Sequence, residues 1–135
     1  MNAKLEINLF DLLIGDQPLT VRPRLAEAIG INEAHIVQQV LYWTRVSEKI
    51  DSQNNFRSGF YWVYKTAKEW GLEFPWLSSQ AIARYLRALR KSGLLVASDR
   101  FNHKSSDRTL WYRVNQEAVV KVLPHPERKK PHIKM

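Results

Sequence analysis

A chain of 135 residues, 44% of them hydrophobic and 25% charged, is long enough to bury one sizeable core, and its net charge of +8 leaves a surplus of cations. It contains no cysteine, which excludes disulfides, thiolate catalysis and cysteine-ligated metals. Nothing in it resembles a signal peptide or approaches the length of a membrane span, so a soluble, cytoplasmic protein of one domain with a tail is expected.

Residues 1–19 hold a short amphipathic segment, Leu5 to Ile14, whose apolar side chains suit packing as a helix on the core or on a partner. Gly15-Asp16-Gln17-Pro18 reads as a turn. Pro23 suits the first position of a helix that stops at Gly30, with Leu25, Ala26 and Ile29 on its inner side. Asn32 is then expected to cap a longer helix, with Glu33 in the first turn where the helix dipole favours an acid. Ala34, Val37, Leu41 and Thr44 fall on one line of that helix, and Ile36, Val40, Trp43 and Ser47 on the next. A face that wide implies burial against several elements, with the end placed between Ser47 and Ile50.

The polar stretch from Asp51 to Gly59 predicts a surface loop, and Phe60-Tyr61-Trp62-Val63-Tyr64 a single strand. A helix over about Thr66 to Trp70 is expected to end at Gly71, which leaves a long turn, Leu72 to Leu77. Ser78 or Ser79 then caps a helix from Gln80 to Ser92, closed by Gly93. Leu77, Ala81, Ile82, Leu86 and Leu89 form its apolar stripe. Gln80, Ala83, Arg84, Arg87 and Lys91 lie opposite, with Arg90 at the margin.

Two β-type runs follow, Leu94 to Ala97 and Thr109 to Val114, separated by a loop containing Arg100, His103, Lys104 and Asp107. Asp107 is expected to order the loop. Asn115 caps a last short helix, Gln116 to Leu123. The remaining residues, 124–135, carry three prolines and four cations and predict a basic, unfolded tail.

Helix, turn, helix, strand, basic loop, strand is the order of a winged helix-turn-helix. The expected fold is therefore α+β and mainly helical, with extra N-terminal helices, a small β-sheet wing and a domain spanning residues 20–123. Charge agrees with a polyanion partner. Residues 1–75 hold 8 Lys and Arg against 9 Asp and Glu, whereas residues 76–135 hold 13 against 4. The cations thus concentrate in the half with the second helix of the pair and the wing. A guanidinium fork matches both phosphate and guanine edges, and the expected double-stranded DNA contacts are Ser79, Gln80, Ala83, Arg84, Arg87, Arg90, Lys91, Arg100 and Lys104.

Catalytic chemistry finds little to build on. The five glycines have no phosphate-loop or dinucleotide spacing, and the four histidines are scattered without a paired ligand or a placed carboxylate. Glu69 and Glu73 read as solvated surface acids, and His35 as a surface or partly packed imidazole. Trp43, Trp62, Trp70 and Trp111 read as core, with Trp76 and Tyr85 uncommitted. No enzyme activity, cofactor or metal is expected.

Several short motifs in order also resemble a known family. They are Leu25-Ala26-Glu27-Ala28-Ile29-Gly30-Ile31-Asn32-Glu33-Ala34, Ile36-Val37-Gln38-Gln39-Val40 and Tyr42-Trp43, then Trp62-Val63-Tyr64 and Glu69-Trp70. Phe74-Pro75-Trp76-Leu77-Ser78, Leu94-Leu95 and Asp107-Arg108-Thr109-Leu110-Trp111-Tyr112-Arg113-Val114 complete the set. Over residues 20 to 115 the chain resembles the N-terminal winged-helix domain of phage replisome-organiser and plasmid or prophage replication-initiator proteins, the DnaD-like group. The resemblance implies duplex binding, often as an oligomer, through Gln80, Arg84, Arg87 and Lys91 and the wing cations Arg100 and Lys104. It also implies recruitment of replication proteins by a C-terminal region, for which the stretch after Val114 is too short. A small transcriptional repressor and a protein-interaction winged helix are the competing expectations.

Overall fold

Pro23 sits in the first turn of helix α1 (Pro23–Ile29), where its missing N–H costs nothing. Gly30, at φ 106°, joins α1 directly to α2 (Ile31–Lys49). Asn32 is consequently inside α2 and is not its cap, contrary to the sequence expectation. Glu33 folds back so that its carboxylate fills the space a Cβ on Gly30 would take. The computed structural model from which these elements come describes residues 21–123. The expected N-terminal helix and basic tail lie outside the described residues.

The stretch after α2 departs most from the expectation of a loop. A single 3-10 turn, Gln53–Asn55, leads into a hairpin of β1 (Phe56–Arg57) and β2 (Phe60–Tyr61). Its two-residue turn is Ser58-Gly59, both at positive φ (51° and 84°), the geometry that matches the right-handed twist of paired strands. The run Phe60 to Tyr64 is therefore two strands and not one. Trp62, 3% exposed, separates β2 from β3 (Val63–Tyr64) and belongs to neither sheet. Asn55 clamps this junction, donating to the Trp62 carbonyl at 3.0 Å, while the Trp62 indole donates to the Arg57 carbonyl at 2.9 Å.

Helix α3 (Ala67–Glu73) opens with a capping box: Glu69 N–H donates to Thr66 Oγ1, and Thr66 N–H donates back to Glu69 Oε1 at 2.8 Å. Gly71 does not stop it. Trp70 and Phe74, 1% and 0% exposed and stacked 6.1 Å apart, bury the final turn and outweigh the cost of a helical glycine. Glu73 is thereby drawn into the fold. It accepts from Trp43 Nε1 at 2.9 Å, and Lys65 Nζ approaches its other oxygen at 2.8 Å, off the line of a hydrogen bond. It is not the solvated acid that was expected. The turn to the next helix shortens accordingly, to Phe74 through Ser78.

Helix α4 (Ser79–Lys91) is followed by β4 (Leu95–Ser98), a loop, β5 (Trp111–Val114) and α5 (Gln116–Val122). Asn115 caps α5, accepting from Ala118 N–H at 3.2 Å. The three-stranded antiparallel sheet has the order β3-β5-β4, with Val63 opposite Tyr112 and Leu95 opposite Val114. Alternate residues of β5 point to one face, where Tyr112 and Val114 meet Ile36, Val37 and Val40 of α2 and Ile82, Leu86 and Leu89 of α4 in one core. The class is α+β and mainly helical, with small antiparallel sheets.

Candidate nucleic-acid interface

Helix α4 owes its position to its two ends. Ser78 Oγ accepts from Ala81 N–H at 3.0 Å, satisfying a donor that the first turn leaves unpaired. At the other end Gly93 N–H donates to the Arg90 carbonyl and Leu94 N–H to the Leu89 carbonyl, both at 3.0 Å. With Gly93 at φ 84° this is a Schellman closure, which passes the chain straight into β4. Ile82, Leu86 and Leu89 are buried. Ser79, Gln80, Ala83, Arg84, Arg87 and Lys91 are all exposed, as the spacing predicts.

Arg90 differs. It is half-buried, and its Nη1 donates to the Tyr112 hydroxyl at 3.1 Å, tying α4 to β5. Burial raises the Tyr112 pKa, with Arg90 acting in the opposite sense, so the hydroxyl stays protonated. Among the described residues the ion pairs are Arg45–Glu48 and Lys65–Glu73, so Arg84, Arg87, Arg90 and Lys91 are all without an acid partner.

One flank of α4 is braced by Asn32. Its Nδ2 donates to the Tyr85 hydroxyl at 3.2 Å, and its Oδ1 accepts from Trp76 Nε1 at 3.1 Å. The first turn of α2, the inter-helix turn and α4 thus share one amide. His35 meets the Trp76 ring edge-on at 5.5 Å, and burial lowers its pKa.

The loop from residue 99 to 110 has a built interior. Asn102 Nδ2 donates to the carbonyls of Asp107 and Thr109, and the Phe101 ring sits 5.1 Å from Trp62 and 5.5 Å from Trp111. Asp107 accepts from Thr109 N–H at 3.0 Å and from the Tyr64 hydroxyl at 2.8 Å, so it does order the loop. Those bonds from Thr109, its side chain first and then its backbone, with Tyr64 adding to them, hold its carboxyl below the usual range. Arg100 and Lys104 are exposed, Arg100 lying over Phe101 at 5.6 Å.

A groove of about 420 Å³ runs between α3, α4 and the end of this loop, and it brings Arg87 and Arg90 together with Arg108 and Lys65. Neither Arg108 nor Lys65 is among the individual contacts expected from the sequence, although Arg108 belongs to the basic loop. Arg108 carried a signal, being the last cation before β5; Lys65 is placed by its ion pair and by the Trp43 ring 4.5 Å away, which no local pattern announces. The arrangement can hold anions against a donor-rich surface that, among the described residues, no acid lines. Among the described residues no group of three or more His, Asp or Glu side chains is placed to hold a metal ion, and no helix is long and apolar enough to cross a membrane. No protein-family model, no curated protein and no solved structure matches the chain.

Proposed function

We propose that this chain is a winged helix that binds double-stranded DNA, with α4 in the major groove and the loop between β4 and β5 as the wing. The observation that carries the proposal is the exposed row Gln80, Arg84, Arg87 and Lys91, which has no acid partner among the described residues. The order α2, β3, α3, α4, β4, β5 and the strand order β3-β5-β4 support it, although the five-residue connection between α3 and α4 is longer than the three or four residues usual in a helix-turn-helix. In this reading Arg84 and Arg87 approach base edges, where a guanidinium can bridge two guanine acceptors. Lys91 meets phosphates. Arg90 offers phosphate only the donors left after Tyr112, and Arg100 and Lys104 reach the neighbouring backbone.

The narrower proposal is replication initiation or replisome organisation for a phage, prophage or plasmid, in the cytoplasm. It rests on the resemblance of the motifs given above. Partners beyond DNA would be a second copy or a replication protein. Phe56, Phe60 and Ile50, 40%, 47% and 71% exposed, favour such a protein contact. Selection of bound fragments from a random duplex pool tests the whole reading. Enriched, repeated origin-like sites support it; a single palindrome points to a repressor, and no enrichment removes sequence-specific DNA binding.

A further inference from the structure

We propose that the groove between α3, α4 and the end of the wing loop docks an acidic peptide segment of a partner protein, one that carries leucine or phenylalanine among its carboxylates. The floor and the rim of this groove call for different chemistry. Trp70, Ile82, Leu86 and Tyr112 lie beneath it, with the half-buried Leu110 on one wall. Arg87, Arg90, Arg108 and Lys65 stand around it, and among the described residues no acid lines it. Lys65 is already held by Glu73 and Arg90 by Tyr112, so Arg87 and Arg108 are the cations left to receive a ligand.

The Trp70 side chain is 1% exposed, and its indole N–H has no acceptor among the described residues. That donor is closed off beneath the groove, so its resonance reports on what packs above it. A duplex backbone supplies oxygens and negative charge but no apolar group, so it satisfies the rim and leaves the floor unfilled. A peptide supplies both. Its carboxylates pair with Arg87 and Arg108, where bidentate geometry is available, and its apolar side chain covers Leu86 and Leu110.

Because Arg87 and Arg90 also belong to the proposed DNA face, the peptide and a duplex exclude one another. That competition rests on the DNA-binding reading; the docking itself does not.

The test uses the full chain labelled with ¹⁵N and a synthetic peptide alternating Glu with Leu and Phe. Poly-glutamate of equal length is the charge-only control. The expected result is saturable binding that moves the Trp70 indole resonance and releases a labelled duplex. Poly-glutamate should bind at least about tenfold more weakly and leave that resonance in place. Arg108→Glu and Leu110→Ser should each weaken the peptide by a similar factor. Arg84→Ala should weaken the duplex and spare the peptide. The Arg108→Glu change is on the exposed rim, so it remains informative where Leu110→Ser perturbs folding. Equal binding of poly-glutamate, an unmoved Trp70 resonance or an unaffected Arg108→Glu variant each overturns the proposal. A wild-type chain that binds the duplex and not the peptide refutes the docking alone, and one that binds the peptide and not the duplex refutes the DNA reading alone.

Discussion

The Trp111 indole donates to Asn102 Oδ1 at 2.6 Å, and the same Asn102 amide donates to the carbonyls of Asp107 and Thr109 at 2.7 and 2.9 Å. One side chain therefore joins the loop to the sheet and closes the loop on itself. Asn102→Ala removes all three bonds and strands a part-buried indole donor, at a cost of about 1–3 kcal/mol. Urea unfolding should show that loss. Asn102→Asp keeps the acceptor for Trp111 but abandons both carbonyls, so it should fall between wild type and Ala.

Glu73 and Lys65 make a second connection that the surface reading of the sequence did not anticipate. Their side chains are only 15% and 18% exposed, and Glu73 also receives Trp43. Glu73→Ala leaves an ammonium without its counter-ion and an indole without its acceptor, costing about 1–3 kcal/mol. Glu73→Gln keeps the acceptor for Trp43 and should cost less. A Glu73→Gln midpoint equal to that of wild type would show that the ion pair is solvent-screened and contributes nothing.

The glycines separate by what surrounds them. Gly71 lies inside α3 with open space where a Cβ would be, so Gly71→Ala should stabilise by about 0.5–1 kcal/mol. Gly30 stands at φ 106° under the Glu33 carboxylate, and Gly30→Ala should destabilise. Thermal melts of the two variants should move in opposite directions.

Acid should weaken the fold in two stages. Burial lowers the His35 pKa from its ordinary 6.5, so the unfolded chain binds that proton first. Its contribution is complete above pH 6.5 and is lost as pH falls through the lower folded value. His35→Gln should flatten that part of the stability curve. The carboxyls of Glu69, held down chiefly by the Thr66 backbone bond, and of Asp107, held down by Thr109 and Tyr64, titrate next. Their ordinary values are 4.5 and 3.8; their contribution is present above these and disappears below the folded ones. Asp107→Asn should remove part of this lower stage and leave the upper stage in place.

Much of the helical frame was legible because its punctuation is local. Pro23, Gly30, Ser78, Gly93 and Asn115 each act within a few residues of themselves, and the helix ends fall close to them. The failures share a different cause. Gly71 reads as a stop, yet Trp70 and Phe74 are buried against elements distant in the chain and carry the helix past it. Asn32 reads as a cap, but its amide is taken by Tyr85 and Trp76, 53 and 44 residues away. The hairpin at residues 56–61 did have a local sign, the Ser58-Gly59 pair between aromatic residues, which the polar composition of the surrounding stretch obscured. In the candidate interface, spacing alone separated the exposed row of α4 from its buried stripe. The Arg90–Tyr112 bond and the approach of Arg108 to Arg87 depend on how β5 returns beside α4, which periodicity does not encode.

The central claim is that the exposed face of α4 lies against a duplex. Fluorescence anisotropy of a labelled duplex, titrated with wild type and with the Arg84→Ala/Arg87→Ala double variant across a range of salt, tests it most directly. Neither side chain is in the core, so the variant should melt like wild type. If about five phosphates are neutralised, log K for wild type should fall with log salt at a slope of roughly −4.5, and the variant should bind at least about tenfold more weakly. A folded double variant with unchanged affinity and an unchanged slope would contradict the account.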